Sequence, residues 1–378
     1  MLSTAGMGID ESFFASLAQP GVRGLRAYDP GHDLVALRRR CDALTELGSN
    51  ENPYGASPAA RVALLDVMHD LHRYPDPLGG DLKRALAAKH GVGIDQILLG
   101  NGSHELLMQF AQVFAGPGDD VVASQYGFAV YALAAQAAGA TLRLAPALPR
   151  DHGMARGHDL DAFAAAVTQT TRLVYLANPN NPTGTWFAAA AFDAFLARIP
   201  TDVLVVVDEA YAEFADAPEY ASALSLLARH PNLIVTRTFS KAYALAGLRV
   251  GYAVAHAGLV AVMERVRESF NVNIIALAAA EAVLGDDAHL AASLAGNASQ
   301  RTELADGLRG RGWFVHPSQT NFLLVEFGPD TPAIEASLLA QDIVVRPMAG
   351  YGLPQCLRIT VGDAEENRRL IVALDRLP

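Results

Sequence analysis

The sequence has only two cysteines, Cys41 and Cys356, too far apart to form a metal-spaced cluster. That excludes a disulfide scaffold and a cysteine zinc site, and it fits a reducing cytoplasm. Positive charge is also short, with 29 Lys and Arg against 40 Asp and Glu and a formal net charge of −11. Such a chain lacks the field that a phosphate backbone requires, so nucleic acid is excluded as an expected partner. Apolar runs are broken by Gly, Pro or charge well short of the roughly 20 residues that cross a bilayer, and no membrane span is expected. The stretch MLSTAGMGIDESFF carries Asp10 and Glu11 without a basic segment leading into an apolar one, so it does not read as a secretory leader. Standard phosphate signatures are missing too. There is no Gly-x-x-x-x-Gly-Lys-Ser/Thr run and no Gly-x-Gly-x-x-Gly between a strand and a helix near the start of the sheet, which removes the ATP and nicotinamide readings. The Gly-x-Ser-x-Gly elbow of one large hydrolase class is absent as well.

What is present is a chain of 378 residues, 51% hydrophobic, long enough for a large core in two domains. Short, nearly continuous apolar runs at 97–99, 120–123, 141–144, 173–176, 203–207 and 233–236 alternate with alanine-rich stretches such as 160–167 and 188–197. Runs of that kind fit strands covered on both faces, and the spacing leaves room for crossover helices. The expectation is α/β, with a mostly parallel sheet over about residues 50–255. Beyond Gly258 the pattern predicts helices at 259–270, 274–284 and 288–307. Strands follow at 322–327 and 357–361, with a helix at 334–341 and a short apolar run at 343–345 between them. That describes a smaller α+β unit, with a ligand cleft between the two parts.

The segment Thr238-Phe-Ser-Lys241-Ala-Tyr-Ala-Leu-Ala-Gly247-Leu-Arg249 follows the run at 233–236. A lysine in low-charge surroundings can have its pKa lowered until its amine attacks carbonyls, and Ser240, Thr238 and Arg249 supply donors suited to a phosphate. The alternative is a surface lysine and arginine on an ordinary helix. Asp208 stands at the end of the apolar run 203–207, where parallel sheets open their ligand crevice. A charge buried there calls for a cation, and a protonated pyridine nitrogen is one; capping a helix or binding magnesium are the alternatives. Tyr211 reads either as a contact to a cofactor's phenolic oxygen or as a packed aromatic.

Asn181, in Asn178-Pro-Asn-Asn181-Pro-Thr-Gly184, sits in a rigid turn at the same sheet edge and either donates to that oxygen or is structural. Gly100-Asn-Gly102-Ser103-His104 opens a helix whose first amides can hold an anion, with the His104 side chain read as a neighbour of the cap. Tyr126 reads as a ring that could stack on a planar cofactor, and Tyr74, in Arg73-Tyr-Pro75, as a phenol that could reach a phosphate, including one in a neighbouring subunit. Both can instead be packing aromatics. Arg358, in Cys356-Leu-Arg-Ile-Thr-Val361, and Arg346, after Ile343-Val-Val, are candidates for a substrate carboxylate or for internal ion pairs.

In their order along the chain these motifs resemble the histidinol-phosphate aminotransferase family, within the class II, fold-type I pyridoxal-phosphate aminotransferases. The resemblance spans Leu-Arg-Ala-Tyr28-Asp-Pro-Gly31, Gly48-Ser-Asn-Glu-Asn52-Pro-Tyr54, Arg73-Tyr-Pro75 and Leu357-Arg-Ile-Thr-Val-Gly362. It implies a large domain at 46–262 with a seven-stranded, mostly parallel sheet sandwiched by helices. A small C-terminal domain at 263–378 follows, and residues 1–45 form an arm and part of the small domain. It also implies that Lys241 bonds to the aldehyde of pyridoxal 5′-phosphate, Asp208 pairs with the pyridine nitrogen, and Asn181 and Tyr211 contact O3′. Tyr126 would cover the ring, and Ser103, His104, Thr238, Ser240 and Arg249 would surround the phosphate, with Tyr74 reaching it across a homodimer interface. Tyr28, Asn52, Arg346 and Arg358 would bind substrate. The implied reaction is ping-pong transamination in the cytoplasm between histidinol phosphate and 2-oxoglutarate, two small molecules, in histidine synthesis. An aromatic amino acid aminotransferase, a threonine-phosphate decarboxylase and a silent cofactor-binding regulator are the alternatives. The segment Glu268-Ser-Phe270-Asn-Val-Asn273 differs from the Pro-rich version of some members and resembles a second branch of the family.

Overall fold

The computed structural model describes residues 10–26, 31–41 and 43–377. Its thirteen strands are β1 Thr45–Glu46, β2 Ile97–Gly100, β3 Asp120–Ser124, β4 Thr141–Ala145, β5 Thr171–Ala177, β6 Leu204–Asp208, β7 Leu233–Thr238, β8 Gly251–Ala255, β9 Phe314–Val315, β10 Phe322–Glu326, β11 Ile343–Val344, β12 Arg346–Pro347 and β13 Cys356–Thr360. Seven of them form one sheet in the order β2-β8-β7-β6-β5-β3-β4. Its inner pairs, β3 with β4 and β5, β5 with β6, and β6 with β7, are parallel. β8 runs antiparallel to both β2 and β7.

Strand alternation sends side chains to two apolar layers. On β5, Leu173, Tyr175 and Ala177 join one cluster with Phe110 and Tyr131, while Val174 and Leu176 join another with Phe163, Phe192 and Phe195. Both faces are therefore covered, and β6 is apolar up to Asp208 while β7 is apolar over its first three residues. Those ends lie side by side and place Ala177, Asp208 and Thr238 at one edge.

The second sheet is antiparallel, ordered β12-β13-β10-β9, and β1 pairs in parallel with β11 beside it. The helices Asp287–Arg309 and Ala364–Leu374 pack on this unit around Leu304, Leu308, Leu323, Ile359 and Leu370.

The sheet is mostly parallel, as expected; the strand that sequence reading did not anticipate is β8, whose Gly-Tyr-Ala-Val-Ala run lies antiparallel to both neighbours. Gly251 is required there, because a Cβ would meet the Ser103 amide nitrogen at 2.5 Å. The helix expected over 259–270 spans only Ala257–Met263. Glu264 binds Lys83 and Arg267, Arg267 reaches the Pro77 carbonyl, and Phe270 takes a left-handed φ of +60°, so the chain turns away instead of continuing as helix.

A buried ion pair lies behind the sheet edge. Glu209, fully buried, accepts from Arg237 at 2.7 Å, the Ser222 hydroxyl at 2.7 Å and the Ala223 amide at 2.6 Å. Arg237 is also held by Glu213 at 2.8 Å, so removing Glu209 leaves the guanidinium with one of its two carboxylates. Glu209→Ala is expected to lower the unfolding free energy by about 1.5–3 kcal/mol, the range for a lost hydrogen bond to a charged group, in urea titration.

Candidate active site

A pocket of about 190 Å³ opens at the C-terminal ends of β5, β6 and β7 and extends to the start of the helix Ser103–Phe114. The structure brings Ser103, His104, Asn181, Asp208, Tyr211, Thr238, Ser240, Lys241, Arg249 and Arg358 to its walls.

Lys241 lies in the turn after β7, where its Nζ donates to the carbonyls of Ser49 and Asn50, each at 3.2 Å. Burial, reinforced by the positive charge of Arg358, brings its amine down to about 8, so the uncharged form is far more populated near neutrality than for an ordinary lysine. Asp208 accepts from Tyr131 Oη and Thr236 Oγ1, both at 3.1 Å, and among the described residues it has no cationic partner. Burial raises its carboxyl to about 6, against the opposing pull of those two hydroxyls. Tyr211 is buried, its phenol pushed up to about 12 by desolvation, and its oxygen accepts from Asn50 Nδ2 at 2.9 Å.

At the opposite end Arg249 takes a left-handed φ of +56° and its Nη1 donates to Ser240 Oγ at 3.3 Å. Gly102, at φ +78°, precedes the helix start, and a Cβ there would lie 2.6 Å from Arg249 Nη2. Helix-start amides, hydroxyls and a guanidinium thus converge on a space that only glycine leaves open. Burial and the Arg249 charge hold the neighbouring His104 below its usual range, so it stays neutral.

Arg358, on β13, is 7% exposed, and among the described residues it is held only by neutral groups: its Nη1 donates to Asn181 Oδ1 at 2.8 Å and its Nη2 to the Gly48 carbonyl at 2.6 Å. Its buried Nε has no partner. Arg346 faces it directly across the β12–β13 ladder. Arg346 lines an adjoining cavity of about 520 Å³, which shares Phe128 and Tyr131 with the smaller pocket.

The sequence profile described as Aminotransferase class I and II matches residues 42–374. The chain belongs to this family. The histidinol-phosphate aminotransferase 2 of Pseudomonas aeruginosa is 47% identical over 370 residues, covering 97% of this chain and 99% of that protein. Its counterpart of the same name from Methylococcus capsulatus is 47% identical over 365 residues, covering 96% and 98%. Among solved structures, histidinol-phosphate aminotransferase from Sinorhizobium meliloti in complex with pyridoxal 5′-phosphate superimposes with a TM-score of 0.85 at 31% identity, covering 98% of each chain.

In this aminotransferase several expected residues lie away from the pocket. Tyr126 packs against Leu324, Met348, Leu353 and Cys356, and it is Phe128 that lines the pocket. The turn after β3 does not keep strand alternation, so the ring two positions on takes the inward place. Asn52 lies behind the lysine turn, where its Nδ2 donates to the Ala242 carbonyl at 3.0 Å and to Ser293 Oγ at 2.9 Å. It holds the turn and does not line the pocket. Tyr74 is 80% exposed and stacks on Phe270 with ring centroids 4.6 Å apart. Tyr28 lies outside the described residues. Sequence reasoning missed Ser49, Asn50, Phe128 and Tyr131, all of which line the pocket. Asn50 stands within the same 48–54 motif as Asn52, but nothing in the motif says which asparagine faces inward.

Proposed function

We propose that this aminotransferase converts L-histidinol phosphate and 2-oxoglutarate to imidazole-acetol phosphate and L-glutamate with pyridoxal 5′-phosphate as cofactor. The observation that carries the reading is the convergence in one pocket of a buried lysine amine and, among the described residues, a buried carboxylate without a cation and an arginine held only by neutral groups. The site fits the cofactor. Asp208 suits a pyridine nitrogen that carries a proton, Tyr211 and Asn181 a ring oxygen, and Phe128 the ring face. Ser103, Thr238, Ser240 and Arg249 suit a phosphate, with His104 beside it.

When bound, pyridoxal phosphate supplies an aldehyde for amines and a conjugated ring that takes up an electron pair. Lys241 Nζ, largely desolvated and not locked in an ion pair, carries the proton taken from the amine-bearing carbon of the substrate. Ser49 and Asn50 hold that amine in place through their carbonyls. Asp208 holds its negative charge at the far end of the pocket, where it favours positive charge. Arg358 orients an anionic group of the substrate, the carboxylate of glutamate or the phosphate of histidinol phosphate, with Arg346 and Tyr28 as further phosphate contacts.

The reading includes a cytoplasmic homodimer in which the exposed Tyr74 reaches the phosphate of the partner's site. It also divides the chain into an arm through residue 45, a large unit over 46–262 and a small unit over 263–378; the separate sheets support two units, while the helix Ile274–Val283 packs with Ile97, Phe239 and Val254 in the core of the large one. Among the described residues no helix is long and apolar enough to cross a membrane, and no cluster of metal-ligating side chains occurs.

Adding glutamate to the cofactor-loaded protein is expected to bleach its visible absorbance band as the amine form accumulates. A band that does not respond to glutamate would overturn the donor assignment. Gly102→Ala is expected to weaken pyridoxal-phosphate binding about tenfold, since the added methyl, 2.6 Å from Arg249 Nη2, pushes the guanidinium from its place. Equilibrium titration of the cofactor checks it.

A further inference from the structure

Asn50 links the reacting groups to the small sheet. It is 1% exposed and holds φ at +55°, a left-handed conformation that asparagine adopts more readily than most residues. Its carbonyl accepts from Lys241 Nζ at 3.2 Å and from Asn321 Nδ2 at 3.1 Å. Its backbone N–H donates to Thr360 Oγ1, on β13, at 2.9 Å. The Thr360 hydroxyl in turn donates to Asn50 Oδ1 at 3.4 Å. That contact turns the amide so that Nδ2 faces Tyr211 and donates to its Oη at 2.9 Å. A phenol oxygen that accepts from an amide keeps its own hydrogen for a different acceptor, and Tyr211 lines the pocket.

We infer that Asn50 is a positioning residue: by donating to Tyr211 Oη it reserves the phenol hydrogen for the ring oxygen of the cofactor, while its carbonyl seats the amine of Lys241. The inference rests on the pyridoxal-phosphate reading above. The charged and titratable groups that act on the phenol are Arg358, Asp208 and Tyr351, with Lys241 Nζ 5.9 Å from its ring centroid, and among the described residues Asn50 is the group that donates to its oxygen. A hydrogen bond donated to the ring oxygen favours its ionised state and so favours loss of the proton from the lysine-linked cofactor. Weakening that bond moves the proton's midpoint upward.

The test is the pH midpoint of the visible absorbance change of the holoenzyme in wild type, Asn50→Gly, Tyr211→Phe and the double variant. Glycine keeps the left-handed backbone and removes only the amide. Asn50→Gly is expected to raise the midpoint by about half a pH unit or more when Tyr211 is present and to leave it unchanged in the Tyr211→Phe background. Asn50→Asp, matched in size and equally tolerant of the backbone, draws the phenol hydrogen to its carboxylate. It is expected to raise the midpoint further, which provides a second reading if the glycine variant folds poorly. An equal shift in both backgrounds, or no shift in either Asn50 variant, would overturn the inference. A wild-type protein with no pH-dependent visible band would overturn the cofactor reading itself, and the inference with it.

Discussion

Lys241→Gln is expected to reduce transamination by at least about 10,000-fold, because one side chain supplies both the nucleophile and the proton carrier. Glutamine is one atom shorter but still carries an uncharged N–H donor that points toward the Ser49 and Asn50 carbonyls, so the loss reports the missing amine. The pH behaviour of the amine gives an independent check. In the cofactor-free protein, burial and Arg358 bring Lys241 to about 8, so its acylation by an amine-selective reagent should rise through a midpoint near that pH. A Lys241 peptide labelled in step with that of Lys89, the exposed lysine, would contradict the geometry, as would a Lys241→Gln enzyme that retains substantial turnover.

Asp208→Asn is expected to reduce turnover by about 100- to 1,000-fold, the range for removing a preorganised electrostatic group in a water-poor site. Tyr131 and Thr236 would still hold the amide, so the loss reflects charge and not collapse. In the cofactor-free protein the carboxyl titrates at about 6, with its pKa raised by burial. Below that pH it is protonated and loses its attraction for a cationic ring, so cofactor affinity should decline as pH falls below 6. Asp208→Asn, neutral throughout, should show weaker binding at pH 7 and a flatter decline. Affinity titrations of both proteins across pH 5 to 8 decide the point, and parallel curves would exclude Asp208 as the responsible group.

How much of this was legible depended on whether the signal was local. The apolar runs of β5, β6 and β7 are continuous because both faces are covered, so those strands and the strand-end Asp208 could be read directly. β8 could not, since its small residues are set by a helix start packed against Gly251, a contact across more than a hundred residues of chain. The proposed phosphate cradle was readable because Gly102, Ser103 and His104 are contiguous and open a helix. The inward choice of Phe128 over Tyr126 depends on turn geometry that spacing does not encode. The choice of Asn50 over Asn52 depends on where Thr360 and Tyr211 arrive from distant segments. Arg346 and Arg358 could be suspected separately as half-buried cations. Their direct opposition on one ladder appears only once the small sheet is assembled.

The central claim concerns substrate, and the most direct measurement is kcat/KM for histidinol phosphate and for phenylalanine on one preparation with 2-oxoglutarate as acceptor. A flat imidazole and a flat phenyl ring differ little to an apolar wall, so discrimination must come from the phosphate and the ring nitrogens. The account predicts a preference for histidinol phosphate of about 100-fold or more, roughly 2.7 kcal/mol of transition-state discrimination. Comparable or reversed values would contradict it and make the protein an aromatic amino acid aminotransferase built on the same site.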